Sequence, residues 1–349
     1  MEEKRISNPC EVTIMIPCFN MEKKIHRLLD SLLSQTRRTF KVIVVDDGSK
    51  DNSKAVIEQY AKRFETDGLS FQYVYQDNAG AASAINNALK LVDTEFFCLP
   101  DADDYYDNTY IEECVSFLKY NINCGIVFTE CRVFKEENMK NPVMFFKRAD
   151  GFKGSRKELF RDFYWDRNVW FCPQYMIRTE TFVKANNGME IAGGKHGQNY
   201  QMILPVVYHS DFGYINKPIY NYIIYKNSDS HGKRTIEQRF IHFDGGAELL
   251  NDVFRRIGLT GEELLFYQKE VEQKVAIQKA CVACEYDEKG LFEKYYRQID
   301  KSYMPLKLER IYNRRNWPLA FALESYGIRL RRQIGSSTIA FRIKSLMSK

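Results

Sequence analysis

Apolar and polar positions alternate in blocks over the first hundred residues. Residues 12–16 (Val-Thr-Ile-Met-Ile) form a β-branched apolar run of the kind that makes a strand. Pro17 lacks the N–H a sheet ladder needs, so it predicts the end of that strand. From Glu22, Ile25, Leu28, Leu29, Leu32 and Leu33 recur at helical spacing. Residues 41–45 read as a second strand running into Asp46-Asp47-Gly48-Ser49. Gly48 permits a tight turn there, and Ser49, Asp51 and Asn52 read as the cap of a helix carrying Ala55 to Tyr60. A third strand over 71–75 leads through Gln76-Asp77-Asn78-Ala79-Gly80 to a small-residue helix over 81–91. A fourth, over 95–99, ends in Asp101-Ala102-Asp103-Asp104.

Four strand–helix alternations predict a parallel α/β sheet with right-handed crossovers. Each unusual loop (17–20, 46–49, 76–80, 101–104) follows a strand, so all four are expected along one edge, where open α/β sheets build ligand crevices. Beyond residue 105 the pattern is mixed. A helix is predicted over 109–120 and a strand over 125–129. Trp165, Trp170 and Phe171 surround a further strand ending near Arg178. A glycine-rich polar segment, 188–199, opens a helix containing Tyr200, Ile203, Leu204 and Val207. Two short strands, 212–215 and 219–225, are separated by Lys217-Pro218. From about 235 the chain reads as helical to near 285, with further helices in the tail and a break at Trp317-Pro318. The expected organisation is an α/β domain over 1–230 and a helical region over 231–349.

Composition narrows the class. With 349 residues, 44% hydrophobic and 28% charged, the chain is ordinary for a globular protein. Its first nine residues are polar, no secretory h-region is visible, and no run reaches transmembrane length, which predicts a cytoplasmic protein. Nine scattered cysteines, odd in number, favour reduced thiols. Cys281 and Cys284 form the one Cys-x-x-Cys and read as structural residues of a helix, since no second pair or zinc-spaced histidine accompanies them. The net charge of +5 is concentrated at the end, where residues 301–349 hold eleven Lys and Arg against Glu309 and Glu324. Residues 326–346 are basic and amphipathic. They suit either an anionic membrane surface, on the inner face of the cell membrane, or packing on the catalytic domain with a solvated basic face. No nucleic-acid motif accompanies the charge, so no nucleic acid is expected as partner. No Gly-x-Gly-x-x-Gly follows the first strand and no Gly-x-x-x-x-Gly-Lys-Ser/Thr occurs, which removes support for dinucleotide oxidoreductases and P-loop NTPases.

The acidic loop carries the candidate chemistry. Three carboxylates in four residues repel unless a cation sits among them, and hard oxygen ligands suit Mg²⁺ or Mn²⁺, which in turn suit a diphosphate. Ile16-Pro17-Cys18-Phe19-Asn20, Val44-Val45-Asp46-Asp47-Gly48-Ser49-Lys50-Asp51, Asn78-Ala79-Gly80 and Asp101-Ala102-Asp103-Asp104 together resemble the family 2 glycosyltransferases of GT-A fold, strongly over 10–130 and more weakly to about 230.

The resemblance implies a Rossmann-like mixed, mostly parallel sheet flanked by helices, with a nucleotide-sugar half (10–105), an acceptor half (106–230) and a helical C-terminal extension. It implies that Pro17, Phe19 and Asn20 flank the nucleotide base, that Asp47 binds its uracil-like face, and that Asn78 and Gly80 line the donor site. Asp101 and Asp103 would hold Mn²⁺ or Mg²⁺ on the diphosphate of a donor, a UDP-sugar first among them. The activity implied is inverting transfer of a hexose or N-acetylhexosamine to a hydroxyl of a glycan or lipid-linked glycan in surface polysaccharide synthesis. Two positions depart from the pattern. Ala84-Ile85-Asn86 lacks an arginine that relatives often carry, and Gln198-Asn199 stands where Glu-Asp would supply the base. An amide cannot take a proton, so Asn199 is expected only to orient an acceptor, and His196, Glu190 and Asp104 are the candidate bases. Two other functions are weighed: a non-catalytic sugar-nucleotide-binding partner, favoured by the missing carboxylate, and a sugar nucleotidyltransferase, disfavoured because no glycine-rich basic loop follows the first strand.

Overall fold

Strands β1 (Val12–Cys18), β2 (Phe40–Asp47), β3 (Ser70–Gln76) and β4 (Phe96–Cys98) pair in parallel, with crossovers through α1 (His26–Leu33), α2 (Ser53–Thr66) and α3 (Ala81–Leu89). The computed structural model describes residues 10–147, 154–165, 173–193, 197–226 and 234–313. The chain forms two compact units, residues 1–160 with 170–225 and residues 161–169 with 226–349. The sequence placed a boundary at 230 and gave no sign that 161–169 joins the second unit.

In the first unit the chain continues through β5 (Tyr105–Tyr106), α4 (Tyr110–Tyr120), β6 (Cys124–Lys135), β7 (Met144–Phe146), the start of α5 (Arg156–Tyr164), β8 (Tyr175–Arg178), α6 (Thr179–Asn186), α7 (Gln198–His209) and β9 (Asp211–Ile224). The sheet runs β3-β2-β1-β4-β8-β6-β9-β5, with β7 also on β6. Helices cover the central strands on both faces, so Val12 to Ile16 and Val42 to Val45 are all buried, which is why these strands read as continuous apolar runs. β3, at the edge, exposes Gln72 and Tyr75.

Three expectations are corrected here. β1 runs through Pro17 to Cys18, with Pro17 opposite Val45. β4 pairs only with residues 12–14, so on that side β1 has no ladder left for the proline to break. The two short strands expected around Lys217-Pro218 are one strand, β9, because its parallel pairing with β6 absorbs the proline in register shifts between Thr129 and Cys131. Asn52 and Ser49 do not cap α2 with their side chains; of the three only Asp51 bonds the helix start, its Oδ1 accepting from the Ser53 N–H at 3.0 Å, and the remaining polar groups are used between loops, as described below.

The second unit contains α8 (Ile236–Arg256), α9 (Gly261–Glu285), α10 (Lys289–Tyr296), a 3-10 turn at Lys301–Tyr303 and α11 (Leu306–Asn313). Thr235 and Gln238 form a reciprocal capping box that starts α8, and Gly258 (φ +86°) turns the chain between α8 and α9. Glu270, fully buried, anchors residues 161–165: it accepts bonds from the Arg161 guanidinium, the Tyr164 hydroxyl and Trp165 Nε1. Burial alone would raise its pKa, but these donors outweigh it and hold the carboxyl below its usual range. Burial pushes the Cys281 thiol up to about 12, the opposite of a reactive or metal-binding thiolate. No helix among the described residues is long and apolar enough to cross a membrane. Residues 314–349, with the basic amphipathic segment and Trp317-Pro318, lie outside the described residues, as do Trp170, Phe171 and His196.

Candidate functional site

The loops after β1 and β2 are stitched by reciprocal bonds. Asn20 holds a left-handed backbone (φ +53°), which Asn tolerates better than most residues. Its N–H donates to Ser49 Oγ at 2.9 Å, and its Oδ1 accepts from the Lys50 N–H at 2.8 Å. Next along, the Met21 N–H donates to Ser53 Oγ at 2.7 Å and the Glu22 N–H to Asp51 Oδ2 at 3.1 Å, while Glu22 Oε2 accepts from the Asn52 N–H at 2.9 Å. Ser49, Asp51 and Asn52 thus serve the neighbouring loop. Asp46 closes the turn from within, accepting from the Ser49 N–H and the Tyr73 hydroxyl, each at 2.9 Å.

Asp47 fastens the third loop. It is buried, and its carboxylate accepts from Gln76 Nε2 at 2.7 Å, the Ala79 N–H at 2.8 Å and the Gly80 N–H at 2.9 Å. Asn78 Nδ2 returns a bond to the Asp47 carbonyl at 2.9 Å. The close approach depends on Gly48: its φ is +74°, and a Cβ there would lie 2.7 Å from the Asn78 nitrogen. Asp47, Asn78 and Gly80 are therefore brought together, with Asp47 ordering the loop through three charge-assisted bonds. Pro17 is half-buried at the base of the first loop, and Phe19 is 41% exposed beside Asn20.

In the acidic loop the three carboxylates differ. Asp101 keeps a solvent-exposed face, yet the protein packed around it and then the Asp103 charge push its carboxyl up to about 7. Asp103 is partly exposed and pairs with Lys24 Nζ at 3.3 Å. Asp104 is wholly buried, accepting from the Tyr220 hydroxyl at 2.6 Å and the Ile223 N–H at 2.9 Å. Burial, then the charges of Asp101 and Asp103, raise its pKa well above the usual range. Asp104 is thus corrected as a candidate base. Both its oxygens tie the loop to β9, and no acceptor hydroxyl reaches a carboxylate with no exposed surface.

Among the described residues no group of three or more His, Cys, Asp or Glu side chains stands ready to enclose a metal. Asp101 and Asp103 nevertheless fit a shared cation. They are two hard oxygen donors close enough that the Asp103 charge makes ionising Asp101 harder, and Mg²⁺ or Mn²⁺ ordinarily completes its shell with phosphate oxygens and water.

The segment before α7 is held by neutral amides. Asn86 Nδ2 donates to the Ile191 carbonyl and Asn86 Oδ1 accepts from the Ile191 N–H, both at 2.8 Å. Gln201 does the same for Ala192, accepting its N–H at 2.5 Å and donating to its carbonyl at 3.3 Å. Sequence reading treated Asn86 only as part of a departure and missed Gln201. Asn199, in the first turn of α7, accepts from the Tyr175 hydroxyl at 2.8 Å. Glu190 is exposed at the start of the clamped segment, and His196 lies outside the described residues.

A parallel four-stranded half with interlocked loops, an acidic loop behind its fourth strand and a following mixed half define a GT-A glycosyltransferase fold. Solved structures agree on the fold. The chain superposes on the 1–349 fragment of Staphylococcus aureus TarS in complex with UDP-GlcNAc (TM-score 0.60, 17% identity, 93% of this chain and 92% of that one). It also superposes on the mannosyltransferase PcManGT of Pyrobaculum calidifontis, in complex with GDP-Man and Mn²⁺ (TM-score 0.53, 15% identity, 98% and 85%). Residues 13–178 match the family described as glycosyl transferase family 2, so this stretch of the chain is a glycosyltransferase family 2 domain. It is 27% identical over 178 residues to a Bacillus subtilis protein described as the uncharacterized glycosyltransferase EpsJ (50% of each chain). It is 25% identical over 252 residues to Escherichia coli chondroitin synthase (71% of this chain, 33% of that one). The chain thus spans half or less of the length of these relatives.

Proposed function

We propose that the protein transfers a hexose or N-acetylhexosamine, with inversion, from a UDP-sugar to a hydroxyl of a glycan or lipid-linked glycan in polysaccharide synthesis. The observation that carries this reading is the pair Asp101 and Asp103 at the end of the fourth parallel strand, beside loops that Asp47, Asn20 and Gly48 lock into one edge. A UDP-sugar and a GDP-sugar with Mn²⁺ occupy the two structural neighbours, and polysaccharide enzymes stand among the relatives.

In this reading Asp101 and Asp103 would hold Mn²⁺ or Mg²⁺, which when bound takes up negative charge on the leaving diphosphate. Phe19 and Asn20 flank the base, and the peptide edge at Asn78–Gly80, ordered by Asp47, lines the donor. The acceptor oxygen attacks C1 of the sugar as the C1–O bond to the diphosphate breaks, and the acceptor proton passes to a base. Asn199 cannot take that proton; held by Tyr175, it orients the acceptor. Glu190 is the exposed carboxylate at the start of the segment before α7, and we assign it the proton.

UDP release from a panel of UDP-sugars, with Mn²⁺ or with EDTA, tests the reading. Release selective for one sugar, abolished by EDTA and by Asp103→Ala, is the expected result. Asn199 favours a second reading, a partner protein that binds the sugar nucleotide without turnover. That reading gains the case if UDP binds with metal and no sugar is released across donors and acceptors.

A further inference from the structure

Lys24 lies just ahead of α1 and Arg27 within it, and both side chains reach the acidic loop. Lys24 Nζ is 3.3 Å from Asp103 Oδ2 and sits 3.7 Å above the centroid of the Tyr225 ring. The Tyr225 hydroxyl donates to the Asp103 carbonyl at 3.1 Å and accepts from Arg27 Nη1 at 2.8 Å. One tyrosine at the end of β9 therefore holds two cations and the main chain of the loop together. Among the described residues Arg27 has no acidic partner, so its charge is directed at a neutral phenol.

We propose that Lys24 is an internal counter-ion of the donor site, which competes with a divalent cation for Asp103 and contacts the diphosphate of the bound nucleotide. The proposal rests on the donor-site reading above. Its physical basis is the position of the pair. Lys24 and Asp103 are 29% and 24% exposed, so the ion pair is neither locked in the interior nor strong enough to resist a competing charge. Only one Asp103 oxygen is bonded to Lys24, and a cation that took Asp103 as a ligand would meet the ammonium as a like charge. Displaced from Asp103, the ammonium keeps its place on the Tyr225 face beside Arg27. Two positive charges then face whatever anion the metal brings. A purely structural salt bridge would show neither competition with metal nor a contribution to nucleotide binding.

The test compares the full chain with Lys24→Met, which keeps the stem on the tyrosine, and with Lys23→Met, which removes the same charge from the exposed neighbouring side chain. Mn²⁺ binding without nucleotide is followed by the EPR signal of the free ion, and UDP binding in EDTA by calorimetry; circular dichroism confirms folding. Lys24→Met is expected to bind Mn²⁺ about tenfold more tightly and UDP in EDTA about threefold more weakly, with Lys23→Met within about twofold of the parent in both. Equal Mn²⁺ affinity in the two variants, or unchanged UDP binding in Lys24→Met, overturns the proposal. If UDP binds but Mn²⁺ binds to no form, the competition and the metal assignment fail while the nucleotide site stands. If neither binds to the parent chain, the donor-site reading itself fails.

Discussion

Replacing Asp47 by asparagine changes one atom and should undo the third loop. The carboxylate accepts three bonds, two on Oδ1 (Gln76 Nε2 and the Ala79 N–H) and one on Oδ2 (the Gly80 N–H). An asparagine with its oxygen toward Gln76 and Ala79 turns its own NH₂ against the Gly80 N–H. One charge-assisted bond is lost, about 1.5–3 kcal/mol, and two become neutral, about 0.5–1 kcal/mol each. Burial prevents water from replacing them, so Asp47→Asn should destabilise by about 3 kcal/mol. The midpoint of urea unfolding reports that loss, and hydrogen exchange locates it: the amides of Ala79 and Gly80 should lose protection while those of β1 and β2 keep theirs. UDP affinity should fall with the loop. Unchanged protection at Ala79 and Gly80 would show that Asp47 does not order this segment, and the reasoning would be wrong whatever the stability change.

Other outcomes follow from single residues. Gly48→Ala places a methyl 2.7 Å from the Asn78 nitrogen in a left-handed backbone and should cost about 2–4 kcal/mol in urea melts, with weaker UDP binding. Asn199→Asp puts a second proton acceptor beside Tyr175, in addition to Glu190; sugar transfer to an acceptor should rise by about tenfold or more, and no gain would mean that position 199 does not face the acceptor hydroxyl. Glu270→Ala removes the acceptor that the buried Tyr164 hydroxyl and Trp165 Nε1 share with the half-exposed Arg161 and should destabilise the second unit by about 2–4 kcal/mol, read by thermal unfolding. For Glu11, burial raises the pKa, but bonds from Lys119, Thr39 and Arg37 outweigh it and lower the carboxyl to about 2 from 4.5. A lowered folded pKa means its stabilisation is full above about pH 4.5 and disappears as pH falls toward 2. The difference in urea midpoint between the parent and Glu11→Gln should therefore close over that range.

The parallel half of the sheet is legible in sequence because strands buried on both faces leave long apolar runs. The four loops are legible because each run stops at a turn-forming or charged residue. What those loop residues do is not. Ser49, Asp51 and Asn52 have the composition of a helix cap, and only the pairing of β1 with β2 shows that their bonds cross to residues 20–22. Lys24 and Tyr225 meet across most of the domain, a contact no local spacing encodes. Asp104 looks equivalent to its neighbours in the motif, and burial under β9 separates it from them. Pro17 misleads for a related reason: whether a proline ends a strand depends on where the neighbouring strand stops, which is a tertiary fact.

The clamp formed by Asn86 and Gln201 has a consequence for variation. Both amides read only the peptide groups of Ile191 and Ala192, so the path of that segment is specified without reference to the side chains it displays. Residues on its open side, Gly193 among them, can change without altering where the main chain runs. The fastening is also uncharged, and salt or acid that loosens the carboxylate-held loops leaves it in place. A segment fixed in course and free in content is a natural place for substrate preference to diverge while the rest of the domain stays as it is.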